Sequence, residues 1–451
     1  MAESSKIYTI SKDTYCDSFE RKRGVRMQTK ELLDNIQNGK MDGRILDIYL
    51  DATKLEYQKE RYVRAIKMFE AYYGTGEAQL FSAPGRSEVG GNHTDHQHGE
   101  VLAASINLDT IGVVKQTDDN QIRIKSDDYD EVIISLSDIG YREAEKETTT
   151  ALIKGVVAGF VNRGYNVGGF CAYVTSDVLI GAGLSSSAAF ETLIGTILSG
   201  IYNDLSVSPI EIAIIGQYAE NVYFGKPCGL MDQMACSVGN LVHIDFRDPK
   251  NPEVEKLDFD MSKHGYSLCI TDTKGSHADL TDEYAAVPRE MKAVANYFGK
   301  EVLRDVSYAD VIKEIASLRK LLGDRSVLRA LHFLCENERV VKEVHALKCE
   351  DMKLFLDNVK ASGDSSFKYL QNVYSNNDVS NQNVSIALMM SELLLKTEGV
   401  SRVHGGGFAG TIQAFVKNEF VEKYKEQMDH VFGEGSCKDL RIRKYGGVKV
   451  I

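Results

Sequence analysis

Hydrophobic and polar positions change their period along the chain, and each change predicts a different element. Up to about residue 75, apolar residues recur at helical spacing. Leu32, Leu33, Ile36, Ile45, Leu46, Ile48 and Tyr49 form one series; Tyr62, Ile66, Met68 and Phe69 form a second. Acidic and basic residues fill the gaps between them. That spacing lines one face of a helix, so residues 1–75 are predicted to be a charged helical extension at the periphery, carrying no chemical motif. From about 78 the texture turns β-like. Ala78 to Ala83 is a short apolar run that Pro84-Gly85 interrupts, and runs and period-two alternation follow over 101–115, 121–125 and 131–137, as in Ile122 and Ile124 and then Val132, Ile134 and Leu136. Asp127-Asp128-Tyr129-Asp130 lies between two of these strands. It lacks the Gly and the terminal Glu of a calcium loop and reads as a hairpin turn.

Farther on, helices are predicted over 149–163, from about Ser187 and over 209–224, with strands at 169–176, 241–246 and 267–271. Helical spacing then dominates 278–298, 308–320, 327–347 and 350–360. A helix near 383–397, strands at 400–403 and 411–416, a helix at 418–431 and a strand near Val448 complete the chain. No internal repeat is present, and the mixture lacks a regular βαβ rhythm. It predicts α+β layers rather than a doubly wound sheet. Asp248-Pro249-Lys250-Asn251-Pro252 interrupts the pattern, so the expected division is 1–75, 76–250 and 251–451.

Composition narrows the picture. A chain of 451 residues suits two or three domains. Fifty-three basic residues against 65 acidic ones leave a net charge of −12, which argues against nucleic acid or an anionic membrane as the main partner. The 8 cysteines are scattered without a CxxC, so reduced thiols are expected rather than a disulfide framework. Met1 to Tyr15 has no apolar signal-peptide core. The most apolar helical stretch, Ala188 to Tyr202, contains Glu191 and two glycines and is too short to cross a bilayer. A cytoplasmic protein is expected.

Four segments carry candidate chemistry. In Gly181-Ala182-Gly183-Leu184-Ser185-Ser186-Ser187-Ala188-Ala189, small residues let backbone amides approach an anion, and serines open an apolar helix whose N-terminal N–H groups suit phosphate. A serine there could also help hold Mg²⁺. The same pattern serves a tight turn with a serine N-cap. Ala83 to Gly99 packs Arg86, Asn92, His93, Asp95, His96 and His98 among glycines, which suits a small polyhydroxylated ligand; the histidine spacing is not that of a zinc site. Cys228-Gly229-Leu230-Met231-Asp232-Gln233 sets an acid among apolar neighbours, as a tuned base or as a helix cap. His404 to Gly410 is a glycine run that alone indicates only a turn.

Taken in this order, the four segments resemble the GHMP small-molecule kinases, and within them the galactokinase branch. That branch carries roughly GRxNxIGEHTDY, GLSSSAA, CGxMDQ and GGGFGG. Here they read Gly85-Arg86 with Gly91 to His96, an unaltered match at 183–189, a match at 228–233, and 405–410 with Ala409 in place of one Gly. A further stretch, Thr271 to Tyr284, places His277, Glu283 and Tyr284 as the branch does. The resemblance runs from about 78 to the C-terminus. It implies two α+β lobes with the active site between them, and transfer of a phosphoryl group from ATP, with Mg²⁺, to the anomeric hydroxyl of galactose. ATP would lie against Gly181, Gly183, Leu184, Ser185, Ser186, Ser187 and Ala188. Ser186 and Glu220 would serve the metal, Asp232 would be the base, and Arg86 would keep it ionised and stabilise phosphoryl charge. Asn92, His93, Asp95, Gly229 and Tyr284 would face the sugar. The implied partners are the sugar and ATP alone, with a monomer or weak homodimer.

Three departures stand out, and the first two touch the sugar pocket or its edge. Asn92 stands where the branch carries Glu, Ser276 where it often carries Arg, and Ser87-Glu88-Val89-Gly90 where it carries Val-Asn-Leu-Ile. They leave open a modified galactose, N-acetylgalactosamine or galacturonate. A non-catalytic sugar and ATP sensor on the same fold is the remaining alternative, against which stand the intact Asp232, Arg86 and serine loop.

Overall fold

The computed structural model describes residues 26–127, 129–179, 183–275 and 280–451. A short strand β1 (Met27–Gln28) leads into helices α1 (Thr29–Gln37), α2 (Asp42–Tyr49) and α3 (Leu55–Tyr73). Strands β2 (Glu77–Gly90), β3 (Glu100–Gln116), β4 (Gln121–Ser126) and β5 (Val132–Ser135) follow, then α4 (Thr149–Asn162), β6 (Phe170–Ser176), α5 (Ser186–Tyr202) and α6 (Pro209–Tyr218). α7 (Met231–Val238), β7 (Leu241–Asp245) and β8 (Glu253–Leu257) complete the first half. The strands form one sheet in the order β1-β2-β3-β6-β4-β5, with β7 and β8 continuing from the first half of β3.

Side-chain alternation gives this sheet two buried faces. Phe170, Ala172 and Val174 of β6 point into a core with α4, α5 and α6. Cys171 and Tyr173 point the other way and join Ile111 and Val113 of β3 in a second core. The N-terminal helices supply the other wall of that second core, through Leu32, Ile36, Ile45, Ile48, Tyr62, Ile66 and Phe69. The described part of the extension expected at the periphery, 26–75, is therefore a structural layer; residues 1–25 of it lie outside the described residues. That layer is tied in by a buried carboxylate between two guanidinium groups. Asp109 pairs with Arg61 of α3 at 2.5 Å and with Arg443 at 3.0 Å, and accepts a 2.8 Å bond from Tyr49.

The second half starts with β9 (Tyr266–Asp272). It continues through helices α8 (Thr281–Tyr297), α9 (Tyr308–Lys313), α10 (Ile315–Leu322), α11 (Asp324–Lys348), α12 (Met352–Ser365) and α13 (Asn383–Leu395). β10 (Gly399–His404), β11 (Thr411–Lys417), α14 (Val421–Phe432), β12 (Cys437–Leu440) and β13 (Val448–Lys449) end the chain. β9 to β12 form an antiparallel sheet in the order β10-β11-β9-β12. α13 and α14 cover one face of it; α11 and α12 supply Val340, Val344, Phe355 and Val359 against the other. After Leu440 the chain returns to the first sheet, where Ile442 bridges Ile106 and β13 pairs with β2.

The mixed architecture agrees with the α+β expectation, and differences in detail have physical causes. β2 does not stop at Pro84-Gly85. It continues to Gly90 with register shifts between Pro84 and Arg86 and between Glu88 and Gly90. Such bulges absorb residues that cannot keep a regular ladder, and they re-aim side chains. The helix expected over 209–224 turns π-helical at Ala219–Phe224, and the one expected over 308–320 divides at Glu314. α7, β8 and β12, with 8, 5 and 4 residues, are too short to be found from sequence. Among the described residues, no helix is long and apolar enough to cross a membrane.

Candidate active site

The first bulge of β2 aims Arg86 at the start of α7. Its Nε and Nη2 each donate to one oxygen of Asp232 at 2.7 Å, a bidentate pair. Nη1 donates to the Gly183 carbonyl, and the Arg86 backbone N–H to the Leu184 carbonyl at 3.1 Å. One arginine thus joins the base candidate to the glycine-serine turn. Gly85 is needed for this approach, because a Cβ there would stand 2.7 Å from the Leu184 carbonyl oxygen. Burial would raise the Asp232 carboxyl, but Arg86 and the Ser185 hydroxyl outweigh it and hold the group below its ordinary value.

Ser185 adopts left-handed backbone geometry, φ 57°, rare for serine. Its hydroxyl donates to Asp232 and accepts from none of the backbone amides of α5, so no side chain caps that helix. The first amides of α5 remain for an anion. Ser186 and Ser187 are half-buried on the first turn, and Leu184 and Ala188 are buried. Gly181 lies outside the described residues, as do Ser276 and His277.

Glu220 sits on the π-helical turn after α6, 3% exposed. Its Oε1 accepts from Ser187 at 3.2 Å and from Lys226 at 3.4 Å, and its Oε2 from Gln233 at 2.7 Å. It is Ser187, one residue beyond the expected Ser186, whose hydroxyl reaches this carboxylate. Gln233 also donates to Glu191 at 3.1 Å. Burial, reinforced by the charge of Glu220, pushes the Glu191 carboxyl well up. Sequence reasoning passed over Glu191. The signal was its place four residues after Ser187, on the same face of α5.

The residues expected at the sugar gather around the loop that follows β2. Asp95 opens a short 3₁₀ turn and rests against Gly229, where a Cβ would stand 2.5 Å from its Oδ2. His93, φ 58°, donates from Nε2 to the Gly406 carbonyl at 3.1 Å. Tyr284 donates to the Gly407 carbonyl at 2.8 Å and packs edge-on against Phe408; burial pushes its hydroxyl up to about 12. The glycine run 405–410 thus meets the loop from the opposite sheet, with positive φ at Gly405, Gly407 and Gly410.

Asn92 is placed differently from its neighbours. It is fully buried, and its amide is spent on protein partners. Nδ2 donates to Glu88 at 3.0 Å and to the Gly405 carbonyl at 2.7 Å; Oδ1 accepts from Asn372 at 2.8 Å and from Ser366 at 3.2 Å. Its backbone is held as well: His332 donates to its carbonyl at 3.0 Å, and Glu336 accepts from its N–H at 3.3 Å. Glu88 in turn pairs with buried Arg402 at 2.7 Å. Sequence reasoning missed His332, Glu336, Asn372 and Arg402. They are isolated polar residues from remote elements, and only folding brings them together.

A phosphate-suited helix start, an Arg-clamped carboxylate and a polar loop between two sheets together define a small-molecule kinase of the GHMP class. Residues 151–240 match the family model described as the GHMP kinases N terminal domain, and residues 67–116 match the galactokinase galactose-binding signature. The chain is 31% identical over 363 residues to the galactokinase of Actinobacillus pleuropneumoniae serotype 3, covering 79% of this chain and 90% of that one. It is 29% identical over 376 residues to the Streptomyces coelicolor galactokinase, covering 83% and 94%. Lactococcus lactis galactokinase, solved with galactose, superposes with a TM-score of 0.71 at 23% identity, covering 85% of this chain and 98% of that one. Methanococcus jannaschii mevalonate kinase shares the fold at a TM-score of 0.56 and 16% identity, covering 81% and 99%. The chain belongs to the galactokinase family.

Proposed function

We propose that this enzyme transfers the γ-phosphoryl group of ATP to the anomeric hydroxyl of galactose, giving galactose 1-phosphate and ADP. The observation that carries this reading is the Arg86–Asp232–Ser185 constellation beside the uncapped start of α5. Asp232, kept ionised by Arg86, orients the sugar hydroxyl and accepts its proton as the new O–P bond forms. Arg86, already touching the Gly183 carbonyl, supplies positive charge where the phosphoryl oxygens gather. Transfer of this kind depends mostly on positioning and charge. Gly183, Leu184, Ser185, Ser186, Ser187 and Ala188 form the phosphate cradle. His93, Asp95, Gly229 and Tyr284 hold the sugar, and carboxylate acceptors among them discriminate hydroxyl epimers.

The hard oxygen donors of Ser186, Ser187 and Glu220 fit Mg²⁺, which takes few protein ligands beside a nucleotide. When bound, it neutralises charge on the β- and γ-phosphates. Gln233 and Ser187 fix the Glu220 carboxylate toward that task. We place it in the cytoplasm as a monomer or weak homodimer acting on small molecules; the net charge of −12 argues against nucleic acid or an anionic membrane as a partner. We divide the chain into a helical extension, 1–75, and two lobes, 76–250 and 251–451.

The test is ADP release from ATP and Mg²⁺ with galactose, glucose, N-acetylgalactosamine and galacturonate, with Asp232→Asn as control. Galactose-dependent turnover that disappears in the variant, with a 1-phosphate product, is the expected result. Turnover on a modified sugar alone would move the substrate, and nucleotide binding without turnover on any sugar would defeat the enzymatic reading.

A further inference from the structure

The kinase chemistry does not call on the N-terminal layer, yet α3 lays two side chains on the residue that follows β6. Tyr57 donates to both carboxylate oxygens of Asp177, at 3.0 and 3.1 Å. Arg61, one turn on, lies 3.2 Å from the same carboxylate and donates to the Thr175 carbonyl at 3.3 Å. The Asp177 N–H is bonded to the Asp109 carbonyl at 2.9 Å. The end of β6 is thus gripped by α3 through side chains and by β3 through the backbone.

That grip leads toward the reactive arginine. Val178, the next residue, sets its methyl groups 3.0 and 3.3 Å from the point where a Gly85 Cβ would stand. The Leu184 carbonyl lies 2.7 Å from the same point and accepts the Arg86 N–H. Asp177 is therefore linked to Arg86 through a single packing contact, Val178 against Gly85. A carboxylate so near a phosphate site repels a polyanion unless it is turned away and neutralised. Tyr57 holds it turned away and Arg61 offsets its charge.

We infer that Tyr57 is a positioning residue for the nucleotide, through which the N-terminal layer sets the end of β6 and the seat of Arg86. This rests on ATP phosphates lying at the start of α5. Tyr57 is 49% exposed, so its hydroxyl serves Asp177 without being part of the core. Arg61 also anchors Asp109 in the core, so its variants would confound folding with function.

The experiment compares wild type, Tyr57→Phe, Asp177→Asn and the double variant as full chains. ADP and MgATP binding are read by calorimetry, alongside the KM of each substrate and the melting temperature. Tyr57→Phe is expected to weaken ADP binding roughly three- to tenfold, the scale of one typical hydrogen bond. KM for ATP rises and kcat falls, because Arg86 also serves Asp232 and the phosphoryl oxygens, while the sugar KM and the melting temperature hold. Because both residues act through one contact, the double variant is no weaker than the weaker single. Unchanged ADP affinity in Tyr57→Phe, equal losses for sugar and nucleotide, or additive losses in the double variant would each overturn the inference. A wild type that binds no ADP would overturn it together with the nucleotide reading; ADP binding unaffected by Tyr57→Phe would overturn it alone.

Discussion

Asn92→Asp separates a residue that reads the sugar from one that holds the site together. The substitution keeps the shape of the side chain and the oxygen that accepts from Asn372 and Ser366. It removes both N–H donors, so the Gly405 carbonyl loses a 2.7 Å bond and the Glu88 carboxylate loses a 3.0 Å one. Two lost bonds at about 1 kcal/mol each, with a stranded buried acceptor at about 1–3 kcal/mol, give roughly 3–5 kcal/mol. That is a large share of a typical stability of about 5–15 kcal/mol. The introduced carboxyl also faces Glu88, so one of the two is driven to hold its proton. A carboxyl raised in the folded state favours folding below its unfolded value and loses that contribution as pH rises through the folded value. The destabilisation is therefore expected to be larger at pH 8 than at pH 5. Urea unfolding at both pH values measures it, with sugar KM values taken in parallel. A loss below about 1 kcal/mol at pH 8, with altered sugar preference, would refute the reasoning and return residue 92 to the sugar pocket.

Other perturbations probe the remaining parts. Asp232→Asn is expected to lower turnover by roughly 10²–10⁴-fold, the range for a lost general base, while ADP affinity changes little; retained turnover would remove Asp232 from the chemistry. Gly90→Ala would place a Cβ 1.9 Å from Oε2 of buried Glu343, so a loss of about 1–3 kcal/mol is expected in denaturant unfolding, and wild-type stability would show that α11 can yield there. Burial would raise Glu336, but Arg339, His332, Arg402 and the Ser362 hydroxyl outweigh it and hold the carboxyl at about 2, below the ordinary 4.5. Its contribution is present above the unfolded value and is lost as pH falls from about 4.5 toward 2. Glu336→Gln should flatten that acid limb in pH-dependent melting, and an unchanged limb would place the acid sensitivity elsewhere.

Much of this protein was legible in its residues. The alternation of Ile122 and Ile124, the helical spacing of Tyr62, Ile66 and Phe69, and the serine-opened run at 186–202 are local patterns, and they announce local elements. The family motifs, 183–189 above all, pointed to the phosphoryl-transfer class through their resemblance to the GHMP kinases. Position within the fold was another matter. A helical apolar stripe states that a face will be buried, but not against what; only the sheet, apolar on both sides at 111–114 and 171–174, made α1–α3 a structural layer. Asn92 looked like a pocket residue among pocket residues. Its orientation depended on Gly405, Asn372 and Ser366, which lie more than 270 positions along the chain. Hydrogen bonds between such remote side chains leave no periodicity behind, so the tertiary structure alone decided which polar groups line the candidate site and which are spent on holding the two sheets together.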